Sequence, residues 1–238
     1  MNFLLMMLHL SFPKKLQGKG IFMLLTLLFL CWTSPPVGAQ HLIGLRGGYA
    51  VSGVHFKFYD NYKNIGTPIN FSLLYTYYHS LWGVNPYFGI QTGINYAEQG
   101  FVNTFNYEKT RYRVVEVPLI SQFHIDFWKM RLLINVGAFA GYRLSATEES
   151  PQNMNQPLEE IVKTDYIFDC YDRRTDFGFI GGGGLAFKTL PFEIQVECNY
   201  QYSLSMLYHP KKLSNLYYLY TFPHQLIFSV GLFFHLSK

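Results

Sequence analysis

The segment Phe192-Glu-Ile-Gln-Val-Glu-Cys-Asn-Tyr-Gln-Tyr-Ser-Leu204 alternates apolar and polar residues without a break. Its even positions are aliphatic, aromatic or cysteine, and its odd positions are Glu, Gln, Asn or Ser. Successive side chains of a β-strand point to opposite faces of a sheet, whereas a helix repeats every 3.6 residues. The segment is therefore predicted to be a strand with one apolar face and one polar face.

Seven further segments carry the same alternation along the chain. It is clearest in three of them and weaker in four: Val115–Phe127, Arg131–Leu144 and Gln225–Leu236, then Leu42–Phe56, Ile69–His79, Tyr87–Gln99 and Asp176–Lys188. Their lengths suit the ~9–11 residues with which a tilted strand crosses a bilayer. The total of eight is even, as is usual for single-chain bacterial barrels.

The connections between these segments alternate in length. Three short ones lie near Trp82–Asn85, Phe127–Lys129 and Thr189–Pro191, and four long ones near Lys57–Pro68, Gln99–Tyr112, Ser145–Thr175 and Ser205–Phe222. Short turns on the periplasmic side and long loops outside are typical of membrane barrels. The chain is therefore predicted to be all-β, an eight-stranded antiparallel up-and-down transmembrane β-barrel.

The composition agrees with interleaved apolar and polar residues. Aromatic residues make up 18% and charged residues only 14% of the chain, yet the mean hydropathy is +0.06. No apolar stretch after Gln40 is long enough for a spanning helix. The net charge of +4 includes the N-terminal Lys14, Lys15 and Lys19, so nothing indicates a nucleic-acid partner.

The N-terminus has the pattern of a signal peptide. Basic residues precede the apolar run Ile21–Trp32, and small residues precede Gln40. We expect residues 1–39 to be cleaved after Ala39 and residues 40–238 to form the barrel domain. A membrane anchor would need about 20 apolar residues. Acylation of Cys31 is disfavoured because the bulky Leu30 precedes it.

The distribution of charge predicts which face is inside. The polar face carries four basic and five acidic residues together with a histidine: Arg46, Glu116, His124, Asp126, Arg131, Arg143, Asp176, Lys188, Glu193 and Glu197. Near-balanced charges suit mutual pairing in a narrow lumen, and the opposite, apolar face suits lipid. The aromatic residues predicted to form an interfacial belt are Tyr49, Tyr78, Trp82, Tyr96, Trp128, Tyr142 and Tyr202. A soluble lipocalin-like barrel that binds apolar ligands is the alternative.

No motif indicates catalysis or a cofactor. Gly181–Gly184 lies in a predicted strand and lacks the Gly-Lys pair of a phosphate loop. The histidines have no metal-binding spacing, and Ser203, Ser205 and His209 lie near one rim without a recognisable motif. We therefore expect no enzyme activity, no metal and no cofactor.

Two strands carry a family resemblance. The segment Tyr112-Arg-Val-Val-Glu-Val-Pro-Leu-Ile-Ser-Gln-Phe123, followed after a turn by Leu132-Leu-Ile-Asn-Val-Gly-Ala-Phe-Ala-Gly-Tyr142, resembles the centre of the Bacteroidetes outer-membrane β-barrel family that includes PorT-like proteins. The matching positions are Glu116, Pro118 and Gly137. The resemblance implies an eight-stranded barrel of the outer membrane, of the kind often described as porin-family. PorT-like members are associated with type IX secretion.

The function expected is a structural, binding or accessory role, since eight strands leave an interior just wide enough for side chains. An accessory of type IX secretion is the first alternative, and a narrow channel is a weaker one. Outer-membrane lipid is the expected partner, with other outer-membrane or secretion proteins reached through the long loops. The sequence leaves the oligomeric state open.

Overall fold

A computed structural model describes residues 40–56, 61–79, 88–151, 161–170, 172–189, 191–208 and 220–236. These residues form ten strands: β1 (Gln40–Phe56), β2 (Tyr62–Thr67), β3 (Asn70–His79), β4 (Phe88–Asn103), β5 (Lys109–Phe127), β6 (Met130–Pro151), β7 (Ile161–Tyr166), β8 (Thr175–Thr189), β9 (Phe192–Ser203) and β10 (Thr221–His235). No helix in this part of the chain could cross a membrane. The predicted signal peptide and the turn Trp82–Asn85 lie outside the described residues.

The strands form one antiparallel sheet that closes on itself, because β10 pairs with β1 from Leu42↔His235 to Phe56↔Thr221. β2 and β3 share one position in the ring, since β1 pairs with β3 over Gln40–Gly47 and with β2 over Ala50–Ser52. Pro68 lies between them and has no N–H to give to the ladder. The ring therefore has eight strand positions, which confirms the predicted fold.

The strands are longer than predicted at the end of the barrel that carries the long connections, here called the loop end. β5 has 19 residues and β6 has 22. Two segments predicted as loops contain strands, so that part of the prediction is wrong: β2 lies in Lys57–Pro68, and β7 pairs with β6 from Ala146↔Tyr166 to Pro151↔Ile161. Outside the lipid both faces of a hairpin meet water, so the apolar–polar alternation that marks a strand disappears.

The opposite end, here called the turn end, has tight connections. Trp128 and Lys129 alone join β5 to β6, and the pairing resumes at Phe127↔Met130. Outward residues between the two ends are apolar and exposed, with Leu119 at 60%, Val136 at 55% and Val230 at 56%. This apolar band surrounds the barrel, as a lipid-facing surface requires.

Apolar residues also lie inside the barrel, in three clusters. The first, at the turn end, consists of Leu42, Leu74, Tyr78 and Phe233. The second lies at mid-height and consists of Ile120, Phe139 and Ile180. The third, at the loop end, consists of Phe56, Phe101, Tyr112, Val114, Ala146 and Leu207. The lumen is therefore filled by polar residues between apolar ones, and is less uniformly polar than predicted.

Candidate functional site: the polar lumen

The structure places the predicted polar residues on the inner face of the ring. Eight of them are almost fully buried: Arg46, Glu116, His124, Arg131, Arg143, Asp176, Glu193 and Glu197. Asp126 and Lys188 are half-buried at the turn end. Together with the amide side chains between them, they divide into four groups along the barrel axis.

Arg131 is the centre of the turn-end group. Its Nε lies 2.7 Å from Asp126 Oδ1 and its Nη1 lies 3.3 Å from Glu193 Oε2. Lys188 forms a second ion pair with Asp126, and His235 Nε2 lies 3.4 Å from Glu193 Oε2. Two cations are thus held between two carboxylates, which offsets the cost of removing all four groups from water.

Tyr78 also belongs to this turn-end group, so its predicted place in the interfacial belt is wrong. It is fully buried in the lumen, where its hydroxyl donates to Gln122 Oε1. The Arg131 guanidinium stacks over its ring at 4.4 Å, and the His124 ring meets it edge-on at 4.7 Å. Tyr78 occupies an even position of β3, the same face as Ser72 and Thr76, so its position in the alternation identifies it as a lumen residue.

The second group joins Arg46 to Glu197. Arg46 Nη1 donates to Glu197 Oε2 at 3.0 Å, across the wall formed by β1, β10 and β9. The amide nitrogens of Asn135 and Asn199 donate to the same oxygen at 3.1 and 2.8 Å. Glu197 is therefore an ion-pair partner and a hydrogen-bond acceptor at once.

The third group surrounds Glu116 with amide side chains. Asn95 Nδ2 donates to Glu116 Oε2 at 2.8 Å, and Gln99 Nε2 donates to Oε1 at 2.9 Å. Gln201 Nε2 donates from the other side at 3.5 Å, and Gln225 in turn donates to Gln201. No arginine or lysine of the described residues forms an ion pair with this carboxylate.

The fourth group, near the loop end, is built on Asp176. Arg143 Nη2 lies 3.1 Å from Asp176 Oδ2, and the hydroxyls of Ser203 and Ser205 both donate to the carboxylate. Arg143 Nη1 also donates to the carbonyl oxygen of Arg173 at 2.8 Å. The group therefore ties the wall of the barrel to the chain that enters β8.

The three positions of the family resemblance lie together on β5 and β6. Pro118 faces the lumen beside Glu116, and the β4–β5 pairing omits Pro118 and resumes at Leu119↔Thr92 because proline has no N–H to donate. Gly137 pairs with Ile120. A Cβ on Gly137 would lie 2.2 Å from the Leu119 carbonyl oxygen, so the two strands approach more closely there than a side chain allows.

The uncharged partners of these groups were not among the predicted site residues. They are Asn95, Gln99, Asn135, Asn199, Gln201 and Gln225. Asn135, Asn199 and Gln201 lie on the same face of their strand as a predicted charged residue, and Asn95, Gln99 and Gln225 are buried residues of β4 and β10. The alternation therefore contained the signal, and restricting the candidates to charged residues and histidine discarded it.

The described residues contain no group of three or more His, Cys, Asp or Glu side chains placed to hold a metal ion. Cys170 and Cys198 are both exposed. What this arrangement does chemically is to pair Asp126, Asp176, Glu193 and Glu197 with arginine or lysine, while Glu116 is held by amides. It leaves the lumen filled by side chains.

Comparisons with known proteins agree with this geometry. The model of a family described as outer membrane protein beta-barrel domain matches residues 38–208. None of the curated proteins compared with the chain matches it.

Three solved structures are similar to this chain. Ail of Yersinia pestis, in complex with the heparin analogue sucrose octasulfate, has 19% identity and a TM-score of 0.40, covering 82% of this chain and 99% of Ail. Neisserial surface protein A has 8% identity and a TM-score of 0.47, with coverages of 83% and 98%. The Escherichia coli outer membrane protease OmpT has 10% identity and a TM-score of 0.42, with coverages of 85% and 98%. At such identities the likeness concerns the fold alone.

The family match covers well over half of the chain and locates it in the bacterial outer membrane, in agreement with the prediction of a lipid-facing barrel and not with the soluble alternative. The chain belongs to the outer membrane protein beta-barrel domain family.

Proposed function

We propose that this chain is a non-enzymatic, non-conducting barrel of the outer membrane that binds partner proteins at its loop end. The observation that carries this proposal is the filled lumen. Arg131 and Arg143, two of the largest side chains of the protein, are at most 1% exposed and lie across the interior at different heights. A barrel filled in this way acts through its outer surfaces.

Aromatic packing at the loop end supports the absence of conduction. Phe56 stacks on Tyr62 with 3.7 Å between ring centroids, and both rings meet Phe101 edge-on. Phe101 in turn lies 6.4 Å from Tyr112. An ion that crossed this layer would lose its hydration shell without gaining a polar ligand.

Exposed apolar residues support a binding role for the loop end. Phe105 is 82% exposed and Tyr107 is 53% exposed in the turn between β4 and β5, and Ile167, which follows β7, is 87% exposed. These residues lie beyond the lipid-facing band, where large exposed apolar side chains commonly mark contact sites for other proteins. The paired strands β6 and β7 give this surface a rigid support.

The hydrogen bonds of the rim serines support a non-enzymatic role. A nucleophilic serine needs a neighbouring base that accepts its proton. Ser203 and Ser205 both donate to Asp176, whose charge is already balanced by Arg143. The arrangement serves to hold Asp176 in place.

Planar-bilayer recording of the refolded protein tests the absence of conduction. We expect no large, stable conductance steps. Steps of the size that general porins give would contradict the proposal, because they require an open lumen in place of the buried Arg131 and Arg143.

Photo-crosslinking in living cells tests the binding role. A photoreactive residue at Phe105 or Ile167 is expected to give discrete protein adducts, whereas the same residue at the lipid-facing Leu119 is the matched control and is expected to give none. Adducts from Leu119 alone would show that partner proteins contact the lipid-facing surface and not the loop end, which contradicts the proposal.

An accessory role in type IX secretion is the second candidate. The resemblance at Glu116, Pro118 and Gly137 favours it, because these residues are the matching positions of the family that includes PorT-like proteins. Deletion of the gene is then expected to stop export of type IX cargo, and complementation with the unaltered chain to restore it. Normal export in the deletion strain would remove this candidate.

A further inference from the structure

Glu116 is the buried carboxylate of the lumen that lacks a cationic partner. The other four carboxylates each lie within ion-pair distance of an arginine or lysine: Asp126 with Arg131 and Lys188, Asp176 with Arg143, Glu193 with Arg131, and Glu197 with Arg46. These pairs engage all four cations that the lumen offers in the described residues. Glu116 is 1% exposed, so its negative charge, when the group is ionised, has no cation beside it among the described residues.

The neighbouring amides reduce the cost of this charge without cancelling it. Asn95, Gln99 and Gln201 each donate one hydrogen bond to the carboxylate, at 2.8, 2.9 and 3.5 Å. Amides are dipoles without net charge, and an unpaired charge inside a barrel surrounded by lipid is costly. A small positive ion beside Glu116 would offset that cost.

A second observation concerns unused oxygen atoms in the same place. The Oε1 atoms of Gln99 and Gln225 are buried and have no hydrogen-bond donor. Gln99 touches Glu116 directly, and Gln225 reaches it through Gln201. Carboxylate and carboxamide oxygens are the ligands that hard cations prefer.

We propose that Glu116, together with the unpartnered carboxamide oxygen of Gln99, binds one monovalent hard cation of the alkali-metal class. A single positive charge matches the single unbalanced carboxylate. Arg143 on β6 and Asp176 on β8, two charged groups that also act on Glu116, form an ion pair with each other. Apolar clusters lie on both sides of the site, so the ion enters as the barrel folds and is then retained.

Retention of rubidium by the folded barrel tests the site. The protein is refolded in rubidium chloride, passed through a desalting column in choline chloride, and its rubidium content is measured by mass spectrometry. We expect about one rubidium ion per folded barrel and a higher midpoint of heat-modifiable gel migration than after refolding in choline chloride alone, since a ligand of the native state stabilises it.

Two variants locate the ion. Glu116→Gln keeps the shape of the side chain and removes its charge, and is expected to retain no rubidium. Asp126→Asn is the matched control, because it removes a carboxylate from the same face of the same strand at the turn end. It is expected to retain as much rubidium as the unaltered chain.

Several results would overturn the proposal. The first is that the unaltered chain retains no rubidium, and the second is that Glu116→Gln retains as much rubidium as the unaltered chain. Loss of rubidium from Asp126→Asn is the third such result. A midpoint that rises with falling pH and is the same in rubidium and choline would also overturn it, because a proton would then supply the charge. If Glu116→Gln does not refold, the comparison of the unaltered chain in the two salts still decides.

Discussion

The side chain of Arg143, which is buried inside the barrel, donates a hydrogen bond to the backbone of Arg173 at the loop end. Its Nη1 donates to the Arg173 carbonyl oxygen at 2.8 Å, while its backbone N–H donates to the carbonyl oxygen of Arg174 at 2.7 Å. The same guanidinium lies 3.1 Å from the Asp176 carboxylate. One fully buried side chain therefore couples the ion pairs of the lumen to the position of the chain that enters β8.

Replacement of Arg143 by Met is expected to loosen that segment and to destabilise the barrel. The change leaves Asp176 buried without its cation, which costs about 3–5 kcal/mol when one partner of a buried pair is removed. We expect a lower midpoint of heat-modifiable gel migration and faster tryptic cleavage after Arg173 and Arg174. Arg143→Lys keeps the positive charge but loses the planar guanidinium group. Its midpoint is therefore expected to lie between those of the unaltered chain and Arg143→Met. An Arg143→Met protein as resistant as the unaltered chain would contradict this role.

Close strand approach makes Gly137 sensitive to the smallest substitution. A Cβ at this position would lie 2.2 Å from the Leu119 carbonyl oxygen, and backbone cannot move aside as a flexible side chain can. Gly137→Ala is expected to lower the yield of heat-modifiable barrel on refolding. Gly47→Ala is the control, because its nearest atom would be Phe71 Cε1 at 3.6 Å, an ordinary contact. Equal yields from the two variants would show that β5 and β6 can separate without penalty.

The parts of the fold that the sequence predicted are those set by alternation. The faces of β9, and of the regular stretches of β5 and β6, follow from a period of two, and that period persists because one face meets lipid and the other meets the lumen. β7 could not be predicted in this way. At Thr147–Ser150 both faces of its partner strand meet water, so the apolar–polar contrast that reveals a strand is lost.

The lumen itself could be predicted only in part. Charged residues such as Arg46 and Glu197 were placed on the inner face by their position, but their pairing across β10 depends on a register between strands that are 151 residues apart in sequence. Ile120, Phe139 and Ile180 lie inside because the barrel is narrow and mid-height space has to be filled. Alternation gives the face of a residue and does not give its neighbours across the interior.

Tyr208, at the loop end, is expected to ionise at unusually high pH. Burial raises the pKa of its phenol to about 12, against about 10 for a free tyrosine. The folded protein therefore favours the neutral phenol. The contribution of Tyr208 to the free energy of unfolding is complete below about pH 10 and is lost as the pH rises towards 12. Burial, followed by the hydrogen bond to Asp172, also raises the pKa of Tyr166 in this region.

Absorbance titration of tyrosinate measures this directly. The difference between the unaltered chain and Tyr208→Phe isolates the contribution of one tyrosine and is expected to have its midpoint near pH 12. Tyr107→Phe is the control, because Tyr107 is 53% exposed in the turn between β4 and β5. A Tyr208 difference curve with its midpoint near pH 10 would show that the loop end leaves this phenol open to water.

The Arg46–Glu197 pair offers a test of how much the ion pairs of the lumen contribute. Arg46→Met alone is expected to cost about 3–5 kcal/mol, because it leaves Glu197 buried without its cation. In Arg46→Met with Glu197→Leu no charge remains, so most of that loss is expected to be recovered. Recovery is expected to be incomplete because the amides of Asn135 and Asn199 lose their shared acceptor. The midpoint of urea unfolding in detergent, measured for both single variants and the double variant, gives the coupling energy. Additive losses would mean that the two side chains act independently, and Glu197 would then be held mainly by the two amides.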